Sequence, residues 1–170
     1  GAARNLGVEN SNGEYIAFFD VDDIYTSDKV SSLVNVLRNN SNIGMVFGKI
    51  SVKYQNGREY NPEYKHIKSG INYPPDLAIK FLNFGSGASI QAVMCRKDAF
   101  FYINGFEDDM LIGEDIAFSF KMAMNYPIYF LPKIVCNYYR HPKSTLEKYK
   151  KENPNLSYYY DQHKRFYLPY

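Results

Sequence analysis

The chain has 170 residues, 45% hydrophobic and 22% charged, a composition that excludes disorder and collagen-like repetition and suits one domain with a sizeable core. Twenty Lys and Arg against 18 Asp and Glu leave a net charge of +2, too small to make nucleic acid or an anionic membrane the main partner. Cys95 and Cys136 each sit in an apolar run without a CxxC partner and read as reduced core thiols, and no apolar stretch approaches the roughly 20 residues a membrane span needs. A soluble protein of a reducing compartment, the cytoplasm, is therefore expected.

Residues 2–9 have helical character and end in the turn cluster Asn10-Ser11-Asn12-Gly13. The unalternating run Tyr15-Ile16-Ala17-Phe18-Phe19 predicts a strand buried on both faces, as in a parallel sheet, and it stops abruptly at Asp20-Val21-Asp22-Asp23. Thr26 or Ser27 caps a helix with Asp28 in its first turn and Val30, Leu33, Val34 and Leu37 at i, i+3, i+4 and i+7. Residues 43–54 read as strand around Gly48, and 55–75 as a long polar loop, of the kind that is more often functional than not. A short helix over 76–82, a break at Phe84-Gly85-Ser86-Gly87 and a strand over 90–95 follow. Residues 97–103 are helical up to Asn104-Gly105. Gly113 precedes a helix over 114–125 with Ile116, Phe120, Ala123 and Met124 on one face, which Pro127 stops. Residues 128–130 and 134–139 are two strand candidates. The remainder, 142–170, is a basic, aromatic tail with some helical potential, suited to a linker or to peripheral contact with a membrane.

In open α/β sheets ligands collect beyond the carboxyl ends of strands, the place that Asp20, Asp22 and Asp23 occupy. Carboxylates one residue apart can converge on a hard cation that keeps positions open for phosphate oxygens. A calcium loop is excluded, because Tyr25 and Ser31 stand where Gly and Glu are needed. An acidic turn that merely caps a helix, a haloacid-dehalogenase-like phosphatase with Asp20 as nucleophile and Asp22 as acid, and a glycosyltransferase Asp-x-Asp motif all remain open on these residues alone.

Four segments in order bear on that choice. They are Gly1-Ala-Ala-Arg-Asn-Leu-Gly with Ser11 through Asp23; Met94-Cys-Arg-Lys-Asp-Ala-Phe100 with Asn104-Gly-Phe-Glu107; Gly113-Glu-Asp-Ile-Ala-Phe118; and Tyr138-Tyr-Arg-His-Pro-Lys-Ser144. Together they resemble family-2 glycosyltransferases over about 140 residues, where any one alone would say little. The resemblance implies an α/β, partial GT-A fold with a mixed, mostly parallel sheet flanked by helices, residues 1–141 forming the C-terminal portion of that domain. It implies Mn²⁺ or Mg²⁺ and a nucleoside-diphosphate sugar, a UDP-sugar by preference, on Asp20 and Asp22. Arg4 is implied near the nucleotide and His141 at the metal or diphosphate. Asp115 is implied as the base of an inverting transfer to a glycan or lipid-linked acceptor, with Glu114 orienting it, in surface polysaccharide assembly at the inner face of the membrane. Two acids in the first turn of a helix also complement its dipole, the plainer role open to Glu114 and Asp115. The family's opening strand and the following nucleotide-base strand have no counterpart here, so roughly 80 to 90 further residues are expected upstream. A non-catalytic carbohydrate-binding remnant is the alternative for a piece without them.

Overall fold

A computed structural model describes residues 1–84, 87–110, 112–142 and 144–152. Its elements, in order, are α1 (Ala2–Glu9), β1 (Tyr15–Ala17), β2 (Ile24–Tyr25), α2 (Lys29–Asn39), β3 (Met45–Tyr54), β4 (Glu59–Tyr60), β5 (Gly70–Asn72), α3 (Asp76–Phe84), a 3₁₀ turn (Ile90–Ala92), β6 (Val93–Arg96), α4 (Lys97–Tyr102), α5 (Glu114–Asn125), β7 (Ile128–Arg140) and α6 (Thr145–Glu152). The strands form one mixed sheet in the order β1-β6-β3-β7-β2, with β4 added to β3 and β5 to β7. The longest ladder, β3 on β7, is parallel, and β1 shares their direction. β6 runs against both its neighbours, and β2, β4 and β5 also pair antiparallel.

The sheet is buried on both faces because β3 sends successive apolar side chains to opposite sides. Met45 and Phe47 join Leu77, Phe81, Phe118 and Met122 in one core, while Val46 joins Leu33, Leu37 and Cys136 in the other. Helices α3, α4 and α5 therefore cover one face and α2 the other. Both cysteines are free and buried.

Four expectations need correction. β1 is not buried on both faces: Ile16 and Phe18 are inside, but Ala17 is exposed and Phe19 is 56% exposed. It is the edge of the described sheet, paired only with β6, and an edge strand buries one face of its side chains. The two late strands are one, because Leu131, Pro132 and Lys133 bulge out opposite Gly48, where Pro forfeits no ladder bond. A side chain at Gly48 would strike Val135 at 2.6 Å, so the bulge and the glycine belong together. The expected loop over 55–75 is partly sheet, holding β4 and β5. Finally, Val30 of α2 is 53% exposed, and the buried series is Lys29, Leu33, Leu37. The helix is rotated by one position so that a lysine, not a valine, enters the interior.

The turn after α4 fixes α1 against the sheet. Asn5 clasps the Phe106 peptide from both sides, its amide donating to Phe106 O and its carbonyl accepting from Phe106 N–H, each at 2.9 Å. Gly105 makes room for this with φ +57°, and a Cβ there would lie 2.6 Å from Asn5 Oδ1 and 2.7 Å from the Phe100 ring. Gly105→Ala combines left-handed backbone strain with a clash and is expected to destabilise the fold by about 2 kcal/mol or more, readable in urea unfolding.

Candidate active site

The carboxylates are delivered by rigid elements. Phe18, two residues before Asp20, packs edge-on against Phe106 and Phe118 with ring centroids at 5.1 and 5.9 Å, and Phe106 stacks on Phe118 at 4.5 Å. Phe118 lies three residues after Asp115 on α5. One aromatic cluster thus anchors both the end of β1 and the first turn of α5, so Asp20, Asp22, Glu114 and Asp115 line a single cavity of about 630 Å³.

Arg4 spans the two acidic segments. Its guanidinium meets Asp20 Oδ1 at 3.0 Å and Glu114 Oε1 at 2.5 Å, and lies 5.6 Å from the centre of the Phe106 ring. It stands at the cavity, as expected of a residue near the nucleotide, but its charge is shared between two protein carboxylates. Asp22 turns the other way. Its Oδ2 lies 3.0 Å from Nε2 of His141, at the far end of β7. Two residues before His141, the Tyr139 N–H donates to Asp23 Oδ1 at 3.0 Å, and this bond seats the acidic loop on β7.

Asp23 is itself 3% exposed and its Oδ2 has no partner among the described residues. Burial, reinforced by Asp22 and Asp20, pushes its carboxyl up to about 6 against the pull of the Tyr139 N–H. Asp115 follows the same logic. Gly113, at φ +85°, starts α5, and Asp115 Oδ1 accepts the Ile116 N–H at 2.9 Å. Burial first and the Glu114 charge second raise its carboxyl to about 6, overcoming Ile116 and Arg4, which act to lower it. A carboxylate near 6 is ionised at neutral pH yet retains more basicity than a solvated Asp, the condition a general base needs.

Of the candidate metal ligands, Asp22 and His141 are brought together, while Asp20 is engaged by Arg4. Among the described residues no group of three or more His, Cys, Asp or Glu side chains is arranged to hold a metal ion by itself. Asp22 and His141 are the two side chains here that could contribute to holding a divalent ion.

Three residues at this site escaped the sequence reading. Lys29 is fully buried, its Nζ 2.5 Å from the Gln91 carbonyl oxygen and 3.2 Å from the centre of the Tyr25 ring. Gln91, 7% exposed, lines the cavity. Asp23, named only as part of the acidic turn, is the buried anchor of the loop. The sole signal was the spacing of Lys29 one residue ahead of the apolar stripe. Of the small-residue break, Gly85 and Ser86 lie outside the described residues, as do positions 153–170 of the tail, with Lys164, Arg165 and most of its tyrosines.

The model of the family described as glycosyl transferase family 2 matches residues 1–100, more than half of the chain. The chain belongs to glycosyl transferase family 2. Relatives of this family-2 chain include uncharacterized glycosyltransferases of Rickettsia felis, 36% identical over 70 residues, and Rickettsia conorii, 45% identical over 70 residues, each match covering 41% of this chain and 11% of the relative. An uncharacterized glycosyltransferase of Methanocaldococcus jannaschii is 34% identical over 74 residues, 40% of this chain and 26% of that protein. The chain thus matches only a fraction of the length of these relatives. Its fold is similar to the crystal structure of S. aureus TarS 1-349, with a TM-score of 0.58 at 17% identity over 82% of this chain and 40% of that one. Family membership and this fold displace the phosphatase alternative.

Proposed function

We propose that this family-2 chain carries the acceptor-activating half of an inverting transferase that moves a sugar from a nucleoside diphosphate, UDP by preference, to a glycan or lipid-linked acceptor. The observation that carries the reading is the shared cavity. It sets a carboxylate of raised basicity, Asp115, across from Asp22, which is paired with His141. In the transfer, the acceptor oxygen attacks the anomeric carbon while Asp115 takes its proton. The bond from that carbon to the diphosphate oxygen breaks, and the nucleoside diphosphate leaves with the electron pair. Glu114, held by Arg4, keeps a second negative charge near Asp115 and so sustains its basicity. Asp22 and His141 would hold a divalent cation, whose charge offsets that of the diphosphate. Among the described residues no helix is long and apolar enough to cross a membrane.

The test is ligand protection of the whole protein that carries this chain. UDP at 100 times its Kd with Mn²⁺ should stabilise the wild type by about 2.7 kcal/mol, seen as a rise in Tm. Asp22→Ala should lose the Mn²⁺-dependent part of that rise. Full protection of the variant would sink the metal assignment.

A further inference from the structure

We propose that Gln91 reads the hydroxyl or acetamido groups of the transferred sugar, and that Lys29 positions it from inside the protein. The proposal rests on the transferase reading above and goes beyond it, to the residue that selects the sugar.

Position comes first. The β1–β6 ladder ends with Ala17 opposite Met94, and beyond it the acidic loop after β1 and the 3₁₀ turn Ile90–Ala92 before β6 both reach the cavity. Gln91 lines the same cavity as Asp20 and Asp22, and the 3₁₀ turn that carries it packs against β3 and β7. His141 and Tyr138 stand at the end of β7, the latter feeling the charges of Asp23 and Asp22. The sugar on a diphosphate at Asp22 and His141 must reach toward Asp115 for transfer, within the cavity that Gln91 also lines.

Chemistry comes second. The cavity wall is dominated by charge: Arg4, Asp20, Asp22, Glu114 and Asp115. A neutral sugar needs groups that both donate and accept, and a side-chain amide offers two N–H bonds and a carbonyl. Gln91 is nine-tenths buried, yet its amide is not among the sealed, unpartnered polar atoms, and no hydrogen bond from a described side chain holds it. Its polar end accordingly opens to the cavity.

Support comes third. The Lys29 ammonium reaches through the core to the Gln91 carbonyl at 2.5 Å, braced on the Tyr25 ring, whose hydroxyl donates to Phe18 O at the end of β1. A buried lysine is costly unless it is partnered. Here its partner is the peptide of the residue whose amide faces the substrate, so the bond fixes that peptide relative to the acidic loop.

The experiment uses the whole protein with Mn²⁺, titrated with UDP and with UDP-glucose, UDP-galactose and their two N-acetylated counterparts. Gln91→Leu removes the amide at similar volume, and Gln91→Met does so with a more adaptable chain. Both are expected to bind UDP within about twofold of the wild type. Both should bind its preferred UDP-sugar about tenfold more weakly, the loss of one net hydrogen bond, and with a narrowed preference among the four sugars. Lys29→Met keeps the amide but frees its peptide, and should weaken the same UDP-sugar by about threefold or more with UDP binding retained. Unchanged UDP-sugar affinity and preference in a folded Gln91 variant overturns the proposal while leaving the transferase reading intact. A wild type that binds no UDP overturns that reading, and this one with it.

Discussion

Asp115→Asn is expected to lower kcat of the whole protein by about 10²- to 10⁴-fold, the usual worth of a positioned general base, while UDP affinity stays within about twofold. Asn preserves the shape and the oxygen that accepts the Ile116 N–H, so loss of turnover would report lost proton transfer and not lost structure. The wild-type kcat/KM should climb as pH rises through about 6, where burial and Glu114 hold the Asp115 carboxyl, and level off above it. The variant should lack that limb. Stability should move the opposite way. A carboxyl whose pKa rises from 3.8 unfolded to about 6 folded contributes stability that is complete below 3.8 and lost as pH climbs through 6. Asparagine cannot ionise, so at pH 8 the variant should be more stable than the wild type by about 1–2 kcal/mol, discounted for partial exposure. A variant with wild-type turnover would favour the non-catalytic alternative.

Lys29 supplies the largest expected change in stability. Lys29→Ala leaves both a void in a fully packed interior and an unpartnered carbonyl at Gln91, and is expected to cost about 3–5 kcal/mol in urea unfolding. Lys29→Met refills the volume without a charge to desolvate and should cost far less, about 1 kcal/mol, since an apolar replacement of a buried ion is often near neutral. The pH dependence separates these accounts. Burial lowers the Lys29 pKa from 10.5 to about 7, against the opposing influence of Cys136, Asp23 and Asp20. A base depressed on folding contributes stability that is full above its unfolded value and lost as pH falls through its folded one. The gap between wild type and Lys29→Met should therefore shift in favour of the wild type between pH 7 and 10, by an amount on the order of 3 kcal/mol. A gap independent of pH would mean that the ammonium is solvated in the native protein.

Much of this was legible in the residues. Apolar runs set off by Gly, Asn and Pro marked most of the helices and longer strands, because local propensity and hydrophobic period are properties of neighbours in sequence. The Asp-x-Asp turn, the Gly-Glu-Asp start of α5 and the Tyr-Arg-His segment marked the candidate site residues, because a reaction constrains residue types. β1 misled for a physical reason: an unalternating apolar run signals burial on two faces only when strands lie on both sides, and pairing partners are set by topology.

What the sequence determined by itself was the kind of protein and a short set of candidate acids. Family membership and Asp20, Asp22, Glu114 and Asp115 as candidates all rest on short segments read along the chain. What only the tertiary structure decided was which charges meet. Arg4 takes Asp20 and Glu114, His141 takes Asp22 across 119 positions, and Lys29 turns inward to Gln91 across 62. These pairings bridge separate elements, and the energy of a charge depends on its burial and its neighbours in space, which one-dimensional spacing does not encode.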